Sequence, residues 1–131
     1  NRAAERVEGL DAGLAERALV QVAYAIGVAE PMGLYVNTYG TSNVPMSDGE
    51  IADIIMKMPA FDMRPYFIEN RFKLRTPIYS ETAAYGHMGR TTEVVAKEFT
   101  DGGGNTIKLD VKLFPWEELN VVDELRKTFN L

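Results

Sequence analysis

The chain has 131 residues, 46% hydrophobic and 25% charged, with 14 Lys and Arg against 19 Asp and Glu for a formal net charge of −5; that length suits one domain, and that much apolar surface excludes wholesale disorder. No apolar run approaches the roughly 20 residues that cross a bilayer and no secretory signal opens the chain, so a soluble chain without a membrane partner is expected. The absence of cysteine excludes disulfide scaffolds, thiolate zinc sites and cysteine nucleophiles, and the acidic balance argues against a nucleic-acid partner.

Opening on Asn1 instead of Met, the chain is expected to be a piece of a longer polypeptide. Residues 1–17 are rich in helix formers but interrupted by Gly9 and Gly13, so a helix ending near one of them is predicted. From Leu19 to Ala29, large apolar residues at Val20, Val22, Tyr24, Ile26 and Val28 alternate with small or polar ones, which predicts one long strand with an apolar face. Glu30-Pro31-Met32-Gly33 reads as a tight turn, returning the chain into a second strand, Leu34 to Tyr39.

A helix is announced at Ser47, which with Glu50 makes a capping box, while Met46 and Ile51 fit a hydrophobic staple. Ile51, Ile54, Ile55 and Met58 follow at helical spacing. Asp62 and Pro65 open a second helical stretch to about Phe72, with Phe67, Ile68 and Phe72 as its apolar contacts. Periodicity then fades, and Thr76 to Arg90 reads as an irregular connection. Glu93 to Phe99 and Thr106 to Leu113 predict a hairpin around Asp101-Gly102-Gly103-Gly104-Asn105, and Val121 to Phe129 a short terminal helix. No internal repeat is present. The elements add up to an α+β fold, a two-layer arrangement of sheet and helix.

The residues with chemical potential are scattered. Gly102 to Gly104 lack the lysine and following helix of a phosphate loop and read as a hairpin tip. His87, the single histidine, has no nucleophile or metal ligand at short spacing, so it is read as a loop-fixing residue whose ring nitrogens partner backbone groups, with direct catalysis the competing role. Glu81, Asp48 and Asp53 do not form the converging oxygen set a hard cation wants; the acids near Ser47 suit the helix dipole. Arg64, Arg71, Lys73, Arg75 and Arg90 form a loose basic cluster, a solvated face or a phosphate contact. Trp116, beside Phe114 and Pro115, is either an interface contact or a plug over the core edge.

Several words of the chain, in order, resemble the C-terminal part of the S-adenosylmethionine synthetases, or methionine adenosyltransferases. They are VQVAYAIGVAEP at Val20–Pro31, YGTS at Tyr39–Ser42, FDMRP at Phe61–Pro65, TPIYSETAAYGHMGR at Thr76–Arg90 and FPWE at Phe114–Glu117. The resemblance divides the chain into a leading helix and connection (1–18), a matching core (19–90), a hairpin inserted relative to shorter family members (91–113) and a C-terminal segment (114–131). It implies one of three related, intertwined α+β domains in a cytoplasmic enzyme that forms S-adenosylmethionine from ATP and L-methionine, releasing phosphate and pyrophosphate. The parent enzyme is implied to use Mg2+ and K+ and to assemble as a homodimer or homotetramer. Its catalytic and metal-binding residues are implied to lie upstream, so none is assigned here, and the isolated piece is expected to be inactive. One substrate contact carries over: Ile26, flanked by Ala25 and Gly27, corresponds to the adenosine pocket, while the strand pattern also allows Ile26 a place on a buried face with Val22, Tyr24 and Val28. A stand-alone interaction or dimerisation module of the same fold is the alternative function.

Overall fold

The structure, a computed structural model, describes residues 9–131. They fall into two compact units, the first reaching to Ile68 and resuming at Leu119–Leu131, the second spanning Glu69–Glu118. Together they carry two antiparallel two-stranded sheets and several short helices, an α+β fold as the element order predicts.

In the first unit, residues 9–12 are helical; residues 1–8, the start of the expected leading helix, lie outside the described residues. Strands β1 (Leu19–Ala23) and β2 (Gly33–Asn37) pair with Val20 opposite Val36 and Val22 opposite Leu34. Those four turn toward the core, with Val20 and Val36 fully buried, while Gln21 and Tyr35 point outward as the two-residue period requires. Helix α1 (Asp48–Lys57) packs its Ile51, Ala52 and Ile55 against the same core, with Met46 beside them. Its N-terminus has the anticipated capping box: Glu50 N–H donates to Ser47 Oγ at 3.3 Å, and Ser47 N–H donates to Glu50 Oε2 at 2.8 Å. A single 3-10 turn, Pro59–Phe61, buries Phe61.

Asp48 ties this helix to β2. Thr38, only 2% exposed, donates Oγ1–H to Asp48 Oδ1 at 2.6 Å and its backbone N–H to Oδ2 at 3.0 Å. A buried polar side chain is thereby satisfied at the point where the strand hands the chain to the helix.

Helix α2 (Pro65–Phe72) begins in the first unit and ends in the second, where Phe72 is buried. Phe67 is 42% exposed, with the Arg64 guanidinium 4.2 Å from its ring centroid, so the expected apolar contact there is instead a cation–π stack. The second unit continues through one helical turn, α3 (Ser80–Ala83), inside the segment predicted to be irregular. Strands β3 (Glu93–Thr100) and β4 (Thr106–Leu113) then pair in full register from Glu93 opposite Leu113 to Thr100 opposite Thr106. Only the base of this hairpin is covered: Val111 and Leu113 are buried with Ile78 and Phe114, whereas Ile107 and Leu109 stay exposed.

Asp101 organises the tip, its Oδ1 accepting from the N–H groups of Gly103 and Asn105, both at 2.8 Å, with Gly104 at φ +83°. That is turn chemistry, as read from the glycines. Helix α4 (Val122–Phe129) returns to the first unit and buries Leu125 and Phe129, one turn apart. Its Arg126 donates to the carbonyl oxygens of Asp11 and Ala12 at 3.0 and 3.4 Å, serving acceptors a helix end leaves unpaired.

Candidate functional site

The first strand corrects its sequence reading. It ends at Ala23, six residues short of the expected Ala29, and Tyr24, Ile26 and Val28 are exposed instead of forming a buried face. The cause is a reverse turn over Ala25–Val28, with Val28 N–H donating to Ala25 O at 3.2 Å. Gly27, at the third position, has φ +83°, whereas the φ of Ile26 is negative; that combination is a type II turn, which favours glycine at this position. The turn therefore sits ahead of the expected Glu30–Gly33 position, and Met32 N–H closes the connection by donating to Ala23 O at 2.8 Å.

The consequence is that Ile26 stands at the crest of the turn with a relative exposure of 106%, its side chain in solvent and not on the strand face with Val22. Ala25 and Gly27 flank it on the same turn. Tyr24, just before the turn, is pinned to the first unit by its hydroxyl, which donates to Met63 O at 2.5 Å.

The second unit holds a polar cluster that sequence spacing does not reveal. Phe114 adopts a left-handed conformation (φ 48°, ψ 48°) directly before Pro115, a costly geometry for a bulky residue. Packing holds it there: its ring is buried, the Arg90 guanidinium lies 5.3 Å from its centroid, and its carbonyl accepts from Thr92 Oγ1 and from Glu117 N–H, both at 3.0 Å. The reversal aims the following 3-10 turn, Pro115–Glu117, at the 84–90 loop. Trp116 Nε1 then lies 3.0 Å from His87 Nδ1, with the two rings edge to face at 5.5 Å, and a Glu117 carboxylate oxygen lies 3.4 Å from the same nitrogen.

An indole N–H only donates, so His87 Nδ1 accepts from it, which puts the proton of the neutral ring on Nε2. Nδ1 and the Glu117 oxygen then face each other as two acceptors. In place of the expected backbone groups, the His87 ring thus meets two side chains, Trp116 and Glu117, about 30 residues away in sequence.

Most of the remaining candidates are engaged individually. Arg64 is paired with Asp62 at 2.6 Å and Arg75 with Glu69, while Arg90 Nη2 donates to Ala84 O at 2.7 Å. Hydrogen bonding from Arg64 holds the Asp62 carboxyl below the usual aspartate range, and that from Arg75 does the same to Glu69. Arg71 lies over the Phe72 ring at 5.3 Å. Glu81 is bound by Lys97 Nζ at 2.8 Å, Asp48 by Thr38, and Asp53 lies on the exposed side of α1. Among the described residues, no group of three or more His, Asp or Glu converges as a metal site.

Residues 5–98 match the family model of the S-adenosylmethionine synthetase C-terminal domain. The chain belongs to this family. The S-adenosylmethionine synthase of Cytophaga hutchinsonii is 62% identical over 120 residues, covering 92% of this chain, and that of Bacteroides fragilis is 57% identical over the same length. A solved S-adenosylmethionine synthetase from Campylobacter jejuni, described as unusual, overlays 96% of this chain with a TM-score of 0.71 and 28% identity. The chain spans about 28% of the length of these relatives. The family model stops within β3.

Proposed function

We propose that the chain is the C-terminal domain of a methionine adenosyltransferase, which joins the adenosyl group of ATP to the sulfur of L-methionine and releases phosphate and pyrophosphate. The observation that carries this reading is the 62% identity to the Cytophaga hutchinsonii synthase across 92% of the chain. In this reading residues 19–90 form the family core, 91–113 the added hairpin and 114–131 the closing segment, behind a leading stretch of 1–18. The whole enzyme is a cytoplasmic homodimer or homotetramer that works with Mg2+ and K+.

Expelling a polyphosphate from carbon demands cations fixed in place before the reaction. Here Arg64, Arg75, Arg90 and Arg126 are each engaged by a neighbouring carboxylate or carbonyl, and no three acidic or histidine side chains converge among the described residues. We therefore assign catalysis and metal binding to polypeptide upstream and expect this chain to be inactive alone. Its own contribution is a wall for the adenine base, formed by Ile26 with Ala25 and Gly27. Support comes from the turn geometry: a wholly exposed branched apolar side chain, on a crest kept narrow by Gly27, is suited to being covered by a flat apolar face.

Joining this chain to the upstream three-quarters of the Cytophaga hutchinsonii synthase tests the proposal. The chimera is expected to form S-adenosylmethionine, and Ile26→Asp in it to raise the KM for ATP at least tenfold; the isolated chain is expected to give no product. A well-folded chimera without activity overturns the enzyme reading in favour of a stand-alone interaction module, and an unchanged KM removes Ile26 from the adenine site.

A further inference from the structure

His87 Nδ1 has two neighbours with opposite demands. The Trp116 indole N–H, at 3.0 Å, requires an unprotonated Nδ1; the Glu117 carboxylate, at 3.4 Å, has nothing to accept until Nδ1 carries a proton. Both neighbours come from the 3-10 turn that Phe114 redirects. The Glu117 side chain is 8% exposed and the His87 side chain 41%, so the carboxylate is sheltered while the imidazole remains open to proton exchange with water.

We propose that His87, Trp116 and Glu117 form a proton-operated latch between the 84–90 loop and the turn that follows β4. In the neutral state His87 Nδ1 accepts from the indole. Protonation converts Nδ1 into a donor: the Trp116 N–H loses its acceptor, and Nδ1–H forms a charge-assisted bond to Glu117. The imidazole thus exchanges one partner on the turn for another without leaving the cluster.

Other charges around the cluster are occupied. On the loop, Arg90 is held by Ala84 O and the Phe114 ring, and the Tyr85 side chain is fully exposed. After β4, Glu118 accepts from Lys112 Nζ of that strand at 3.0 Å. Glu117 is therefore the charged group that faces Nδ1.

This inference is independent of the enzymatic reading and can be tested on the protein alone. One histidine and one tryptophan make the His87 Cε1–H and Trp116 Nε1–H resonances unambiguous in an NMR titration from pH 5 to 8.5. Both are expected to move through one shared inflection. In His87→Gln the indole resonance is expected to stop responding to pH, because the group that exchanges the proton beside it is gone. An indole resonance that stays fixed while the imidazole titrates overturns the latch. That wild-type result decides the matter even where a variant does not fold.

Discussion

The two units reach stability by different routes. In the first, thirteen buried apolar residues from helix, strand and loop form one cluster, against four in the second, among the described residues. The first unit's Ile51, Ile55, Leu125 and Phe129 recur at helical spacing, and Val20 and Val36 face each other across the ladder, so its order comes chiefly from removing periodic apolar surface from water. The second unit has no long helix of its own and covers only the base of its hairpin. Polar and backbone devices supplement its small core: the left-handed Phe114, the His87–Trp116–Glu117 cluster, and Lys97, which reaches back to Pro77 O at 2.7 Å and to Glu81. A large apolar core spreads the consequences of any one change; a small one concentrates them in a few contacts.

Core truncation is the strongest way to test this contrast. Phe61→Ala in the first unit is expected to cost about 3–5 kcal/mol, and Ile78→Ala in the second about 2–5 kcal/mol. Urea unfolding followed by far-UV circular dichroism reads the first. For the second, the Trp116 fluorescence midpoint is the local probe, since Trp116 packs against the Ile78 cluster. The contrast breaks if Ile78→Ala leaves the Trp116 transition in place, because so small a core has little with which to compensate.

How much of each unit could be read in the sequence follows the same division. Capping box, helical stripe, hairpin and terminal helix are local patterns, and Ser47, Ile51 and the Asp101–Asn105 tip sit as their spacing predicts. The long first strand failed because period-two alternation continues past Ala23, whereas the Ile26-Gly27 turn depends on one backbone conformation that hydropathy does not register. Ile26 was singled out by family resemblance, and its exposed crest position became visible only through that turn. The His87 cluster was hidden for another reason: its partners are about 30 residues distant, and Phe114 must take a left-handed conformation to bring them round. The one available signal was the pairing of two unusual words, one around His87 and one around Trp116.

The capping box sharpens the contrast from the other side. Ser47→Ala removes a local device from a helix whose Ile51 and Ile55 remain buried in the large core, so it is expected to lower stability by only about 1 kcal/mol. A urea midpoint shift approaching that of Phe61→Ala would mean that the cap, and not apolar burial, holds α1 in place.

The smallest expected effect concerns acid stability in the second unit. Hydrogen bonding from Lys97 is the main cause holding the Glu81 carboxyl below the usual glutamate range, with a backbone N–H contributing. A carboxylate with a lowered folded-state pKa binds protons less readily folded than unfolded. Its contribution is therefore present at neutral pH, above the unfolded-state value, and disappears as pH falls through the folded one. Lys97→Met removes the cation while keeping an unbranched stem, so the folded and unfolded values of Glu81 converge and this pair's share of the acid-induced loss disappears. Urea midpoints read through Trp116 fluorescence between pH 3 and 7 should accordingly fall less steeply in Lys97→Met than in the unmodified protein. An identical slope would show that the Lys97 bridge, 16% exposed on the lysine side and 33% on the glutamate side, is screened as an open surface pair is, and that the second unit depends on its apolar base more than its polar stitching suggests.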